Sequence, residues 1–243
     1  MALRDQQKNP ILEIILGTVK LPFTLAGAAA GGLISAGRRY GRTFEKSGRQ
    51  SPERAKVDTS QWTLELLKRI EWRRFEELCA AYFEALGFRT QASRNGERLD
   101  IRLTAAGSQS ASILVHCHAW NADTAGIRLL RGLRGAMASG KLAEGVFVTS
   151  GKFTHEARDY AAKENIHVLD GAALLAKIAD LAPEKSLGLL KFATKGEFMT
   201  PTCPSCEIKM ASRSSTRVGR KFWGCPNYPR CKQTFFGMIN GPA

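Results

Sequence analysis

"EGVFVTSGKFTHEARDYAAKENIHVLDGAALL", residues 144–175, decides the architecture. "EGVFVTSG" is a short apolar run closed by glycine and reads as a strand. "THEARDYAAKEN" follows as a helix, "IHVLD" as a second strand, and "GAALLAKIADL" as a closing helix. Upstream, "GIRLLRGLRGAMASGK" is helical and "SILVHCHAW" is a further strand. "FRTQAS" and "LDIRLTA" form a hairpin around "RNGER". The pattern turns helical from Thr63. Phe75, Leu78, Cys79, Tyr82, Phe83 and Leu86 line one face, and Gly87 stops the run. The order αβββαβαβα predicts a mixed sheet with helices on both faces, an α/β domain of about 120 residues.

The strand within "ILVHCHAWNA", residues 113–122, is apolar up to Val115. Successive side chains of a strand leave on opposite faces. His116 and His118 therefore share a face, and Cys117 points to the other. Two imidazoles side by side on a core strand call for an explanation.

The chain has 243 residues and a net charge of +14, unevenly spread. Residues 1–60 carry +5, residues 61–184 carry +1, and residues 185–243 carry +8. The basic flanks point to an anionic partner, nucleic acid or a membrane surface. The n-region and cleavage site of a secretory signal are not found. The six cysteines are accordingly read as reduced thiols rather than disulfides. Residues 1–60 read as an apolar and basic arm followed by a polar linker. Within the arm, the uncharged run Leu21–Gly37 has 17 residues, contains Pro22 and is mostly alanine and glycine. A spanning helix wants ~20 apolar residues, so membrane association is the less favoured reading of residues 10–37. Residues 183–198 read as a linker, and 199–243 as a small cysteine module.

In that module Cys203 and Cys206 enclose two residues, and Cys225 and Cys231 enclose five. Four thiolates from two such knuckles satisfy tetrahedral Zn²⁺, and a module this small has no core to fold without it. The four cysteines are thus the expected ligands of a structural zinc with no open coordination position. Arg213, Arg217, Arg220, Lys221, Arg230 and Lys232 interleave with Phe222, Trp223, Tyr228, Phe235 and Phe236. Cations track phosphates and exposed aromatic faces stack bases. Phe222 and Phe235 are expected in the ribbon's small core, leaving Trp223 and Tyr228 as candidate DNA-binding aromatics.

"CPSC…GRKFWGCPNYPRC" closely resembles the C4 zinc fingers at the C-terminal end of bacterial type I topoisomerases, over about 35 residues. The resemblance implies DNA binding, with single strands favoured. The stretch 144–175 in turn resembles the end of the Mrr-like restriction endonuclease domain. There a strand ending Thr-x-Gly, a helix, and a strand ending Asp-Gly recur. Thr149, Gly151, Phe153, Ala157, Ala161, Asp170 and Gly171 fall in those places. "FEELCAAYFEALGFRT" is similar to the same family's opening helix. The two resemblances imply a restriction-endonuclease-like mixed sheet flanked by helices over residues 61–182, of the α/β class, with a small C-terminal zinc ribbon.

Nucleases of this PD-(D/E)xK class cut phosphodiesters with Mg²⁺ ions. By resemblance, Asp100 takes the place of the metal-holding Asp, and Glu76 that of a helix Glu that often assists. The following strand should carry Gln-x-Lys. Here His116 stands at the Gln position and His118 at the Lys position. Arg98-Leu99 stands where a glycine pair commonly precedes the Asp. The shared face of the two histidines is therefore the active-site face. Three readings of that face stand side by side. The site is retired, because a neutral imidazole lacks the permanent charge of Lys. Or His118 is a general base, its reference pKa of ~6.5 suiting that role. Or His116, His118 and Asp100 bind a softer metal such as Mn²⁺ or Zn²⁺.

The expectation is a DNA-binding protein with metal-dependent phosphodiesterase activity, using Mg²⁺ or Mn²⁺ at a divergent site. The alternative is an inactive module recruited to single-stranded DNA or DNA ends. Homodimerisation is compatible with either, as is a cytoplasmic, nucleoid-associated location or an inner-membrane tether through residues 10–37.

Overall fold

A computed structural model describes residues 57–95, 98–105, 113–119, 124–215 and 221–235. Residues 10–37 lie outside the described residues. Among the described residues no helix is long and apolar enough to cross a membrane.

The helical run expected from Thr63 is two helices, α1 (Leu64–Arg69) and α2 (Trp72–Ala85). Thr63 caps α1 by accepting from the Leu66 N–H at 3.0 Å. Ile70 and Glu71 are extended and break the run. Ile70 is buried, and Glu71 restarts the helix by accepting from the Arg73 N–H at 3.1 Å. α2 buries Phe75, Leu78, Cys79, Tyr82 and Phe83, as the periodicity predicts. It ends at Gly87, whose φ of +95° suits glycine and few other residues.

Five strands form the main sheet: β1 (Arg89–Asn95), β2 (Arg98–Thr104), β3 (Ile113–His118), β5 (Glu144–Thr149) and β7 (Ile166–Leu169). Their order is β1-β2-β3-β5-β7. β1, β2 and β3 pair antiparallel; β3, β5 and β7 pair parallel. The sheet is mixed, as expected. The hairpin pairing runs as far as Asn95↔Arg98, further into the expected turn than the sequence pattern indicates. Two short strands, β4 (Thr124–Ala125) and β6 (Lys152–Phe153), pair separately.

Helices α3 (Ile127–Ser139) and α4 (His155–Lys163) cover one face. There Leu114 and Phe147 pack with Leu130, Leu133, Met137, Ala157 and Ala161. α2 packs against β1, β2 and β3. Cys117 leaves β3 opposite to Leu114 and interacts with Cys79 of α2. So β3 is enclosed by helices on both sides, and Ile113 to Cys117 are all buried.

Helix α5 (Gly171–Ala179) starts hard against the loop after β5. A Cβ on Gly171 would lie 2.4 Å from the Ser150 carbonyl oxygen, so no larger residue fits there without a shift. Asp170 caps α5 through the Ala173 N–H at 3.0 Å and pairs with Arg158 at 2.7 Å.

Residues 183–198, expected as a linker, include a helix, α6 (Pro183–Ala193). It packs on α2. The Lys185 ammonium donates to the Ala85 carbonyl at the end of α2 (2.6 Å), and Arg74 near its start donates to the Phe192 carbonyl at the end of α6 (2.6 Å). Each helix thus supplies a cation to the other's C-terminal carbonyls, which requires an antiparallel pair. These contacts span 100 and 118 residues and leave no local sequence signal. The ribbon follows, with β8 (Ala211–Ser214), β9 (Lys221–Gly224) and β10 (Thr234–Phe235) antiparallel in the order β10-β9-β8.

Candidate active site and metal centre

The register of the β2–β3 pair sets Asp100 directly opposite His116. Directly opposed residues of an antiparallel pair project to the same face. The His116 Nε2 and Asp100 Oδ1 atoms lie 2.7 Å apart. The two atoms face each other, and the contact is an ion pair only when the imidazole is protonated. His116 is only 2% exposed, while Asp100 keeps about a quarter of its side chain open. The Phe147 ring stands edge-on to the imidazole, with centroids 6.4 Å apart.

His118 follows on the same face of β3, at the end of the strand. Its parallel-sheet partner is Thr149, fully buried and bonded by its hydroxyl to the Gly151 N–H. Burial pushes the His118 pKa down, so the ring is neutral at neutral pH. Glu76 is buried on α2, and its charge acts on Cys117, which leaves β3 from the face opposite to His116 and His118. Burial first, then Cys79 and Glu76, push the Cys117 thiol well up. Such a thiol is a core group, not a nucleophile.

The structure therefore brings Asp100 and His116 into contact, sets His118 two residues further on the same face, and seats Glu76 with the Cys79–Cys117 pair. With His116 neutral and its Nε2 unprotonated, the carboxylate oxygen and the imidazole nitrogen would make a mixed donor pair. Mn²⁺ accepts such a pair more readily than Mg²⁺, which prefers oxygen ligands.

In the ribbon, the Sγ atoms of Cys203, Cys206, Cys225 and Cys231 all lie within 4.8 Å of one another. Those of Cys203 and Cys231 are 3.7 Å apart. Thiolates tetrahedrally placed ~2.3 Å from Zn²⁺ sit about 3.8 Å from each other. The four residues fit zinc by number, chemistry and spacing. Burial, with the neighbouring sulfurs, pushes the Cys225 thiol up to about 12 in the absence of a cation. A coordinated divalent ion reverses that and holds the thiolate.

Residues 67–178 match the family model of the Mrr catalytic type, described as restriction endonuclease. Residues 200–236 match the model described as topoisomerase DNA binding C4 zinc finger. The chain joins an Mrr-type restriction endonuclease domain to a topoisomerase-type C4 zinc ribbon. No curated protein matches it. Among solved structures it is similar to the DNA modification-dependent restriction endonuclease AspBHI, at 17% identity and a TM-score of 0.38, over 60% of this chain and 43% of that one. The protein of unknown function AF1548 matches at 14% and 0.33, over 53% and 65%. The MspJI restriction endonuclease, in complex with a 27-mer oligonucleotide, matches at 16% and 0.30, over 58% and 35%. The chain spans less than two thirds of each of these structures. The ribbon match and the cysteine geometry together support a structural zinc in the ribbon.

Arg213, Lys221, Arg230 and Lys232 are exposed on the ribbon, as a phosphate-tracking role requires. Arg217, Arg220 and Phe236 lie outside the described residues. Tyr228 is 67% exposed. Trp223 corrects the expectation. It is 4% exposed and packs in the ribbon's interior with Cys203, Met210 and Cys225. A base cannot stack on a ring enclosed in this way. Phe235 packs against the same cluster, as expected, and Phe222 is half-buried. Beside the metal centre a cavity of about 300 Å³ is lined by Arg213, Phe222, Tyr228 and Lys232, among others.

Sequence reasoning named Thr149 only as part of the fold motif; strand register sets it beside His118. The same reasoning missed Glu71. An acidic residue just before an apolar-periodic helix was the available signal, because such residues cap helices.

Proposed function

We propose that the chain is a metal-dependent DNA nuclease whose Mrr-type domain works with a carboxylate–imidazole pair, Asp100 and His116, and with a neutral His118. The contact between Asp100 and His116 carries this reading. Strand pairing sets two donor atoms, one of them anionic, 2.7 Å apart, which supports their sharing one ion once Nε2 is unprotonated. A divalent cation bound by them would polarise the scissile phosphate and lower the pKa of the attacking water. His118, neutral because it is buried, can take the water's proton on a ring nitrogen. The water oxygen would form the new bond to phosphorus, the bond to the departing sugar oxygen would break, and that oxygen would take a proton from solvent. Asp100 and His116 act as holders of the ion, and Mn²⁺ suits them better than Mg²⁺.

The ribbon supplies the grip. Its basic residues track phosphates, and Tyr228 offers a stacking face beside the cavity, which favours single strands. The domain carrying the candidate site is near neutral, so affinity and its salt dependence belong to the tail.

The second reading is a non-catalytic DNA-binding module. It is supported by His118, which brings no permanent charge to the position where the resemblance implies a Lys. Supercoiled plasmid incubated with Mg²⁺, Mn²⁺ or EDTA decides between the two. Nicking supported best by Mn²⁺ and lost in Asp100→Ala supports the nuclease. A gel shift without nicking in any metal makes the chain a binding module. Nicking that survives in Asp100→Ala removes Asp100 from the mechanism.

A further inference from the structure

The ribbon is gripped by the Mrr-type domain through one buried carboxylate. Glu71, at the N-cap of α2, is 2% exposed. It accepts from the Thr202 hydroxyl at 3.0 Å, the Thr202 N–H at 3.3 Å and the Lys209 ammonium at 3.1 Å. Its own N–H donates to the Phe198 carbonyl at 2.8 Å. The adjoining Trp72 donates its indole N–H to the Thr202 carbonyl, also at 2.8 Å.

The two residues gripped are the two arms of the first cysteine knuckle. Thr202 immediately precedes Cys203. Thr202 and Lys209 pair across the knuckle as an antiparallel bridge, and within it the Cys203 N–H donates to the Ile208 carbonyl at 2.8 Å. Glu71 therefore finds its donors side by side only while the knuckle is folded.

We propose that Glu71 is a positioning residue that couples zinc occupancy of the ribbon to the order of the first turn of α2. The ribbon's interior consists of Cys203, Met210, Trp223 and Cys225, with little else to hold it once the metal is gone. Loss of zinc releases Thr202 and Lys209 from each other and strips Glu71 of both. A buried carboxylate left with the Arg73 N–H as its remaining donor is costly, so the helix start opens to water to solvate it. Zinc thus acts on the nuclease-like domain through Glu71, independently of whether the Asp100 site hydrolyses DNA.

The test is amide hydrogen exchange on the full chain, zinc-loaded and chelator-stripped, in the wild type and in a Thr202→Val/Lys209→Met variant. Both substitutions lie on the ribbon and leave α2 itself intact. In the wild type, stripping should speed exchange at residues 72–75 by roughly tenfold or more, the loss of one or two charge-assisted hydrogen bonds. Exchange in β5 should stay unchanged. In the variant, which should still bind one zinc per chain, exchange at 72–75 should already be fast with zinc bound and insensitive to stripping. Wild-type exchange at 72–75 that ignores zinc would overturn the proposal. So would a variant, zinc-loaded or metal-free, that keeps the wild-type response.

Discussion

Around β3, the α/β domain encloses Ile113, Leu114, Val115 and Cys117 between two helical layers, whereas the ribbon's interior is Cys203, Met210, Trp223 and Cys225. Each fully buried aliphatic side chain of the first region contributes about 1.5–3 kcal/mol of transfer free energy. The second region has almost none of these and relies on four sulfur–metal bonds. The domain can thereby carry polar groups on the face that holds Asp100 and His116, because the apolar layers around them hold the sheet. The ribbon has left its surface to cations and to Tyr228, because the metal holds its strands.

The largest effect that sharpens this contrast is zinc removal. Chelation, or Cys225→Ser, should unfold the ribbon outright, since structural zinc supplies about 10–16 kcal/mol of apparent folding free energy in such modules. The α/β domain should keep a cooperative transition of its own. Circular dichroism melts with and without chelator check this, and a single shared transition lost on chelation would break the contrast. DNA affinity should fall with the ribbon, and its salt dependence should flatten.

Phe147→Ala comes next. The ring is buried between His116 and Phe153, and its loss should cost about 3–5 kcal/mol in urea unfolding. Zinc content should not change. A variant that lost its zinc along with its core would show the two regions to be one folding unit.

Tyr228→Ala should do the opposite. The ring is 67% exposed, so the melting midpoint should hold within error. Affinity for single-stranded DNA should drop by about 1–3 kcal/mol if a base stacks there. Fluorescence anisotropy titrations at fixed salt give the number, and unchanged affinity would move the stacking surface elsewhere on the ribbon.

The smallest effect is pH dependence. Burial lowers the folded-state pKa of His118; burial also lowers that of His167, against a smaller opposing pull from Glu144. The unfolded chain then binds more protons than the folded one as pH falls through the ordinary histidine range near ~6.5. Stability from these residues is complete above that range and is lost as pH drops toward their folded values. Urea midpoints between pH 8 and pH 5 should decline, and His118→Gln should make the decline shallower. An unchanged slope would take His118 out of the buried face.

How much of this was legible in the sequence follows from the range of the interactions. Cysteine spacing is local, and the four ligands converge as read. Strand alternation is local too, so the shared face of His116 and His118 was readable. Their pairing with Asp100 and Thr149 adds register, which only the folded sheet fixes. Trp223 was misread because alternation along β9 says which face a ring takes and not that the cysteines occupy that face. Helix α6 carries the small residues and lysines of a linker; what holds it is Arg74 and Lys185 reaching across to another helix. Glu71 was not singled out, although an acidic residue before an apolar-periodic helix signals a cap, and it is one. Its second task depends on Thr202 and Lys209, about 130 residues downstream.

The central claim is that Asp100 and His116 hold a metal ion on the active-site face. Mn²⁺ titrated into the zinc-loaded full chain and followed by electron paramagnetic resonance tests it most directly. The account predicts Mn²⁺ binding in the wild type that is lost in both Asp100→Ala and His116→Ala while the ribbon keeps its zinc. No Mn²⁺ bound by the wild type, or binding untouched by either substitution, would contradict it.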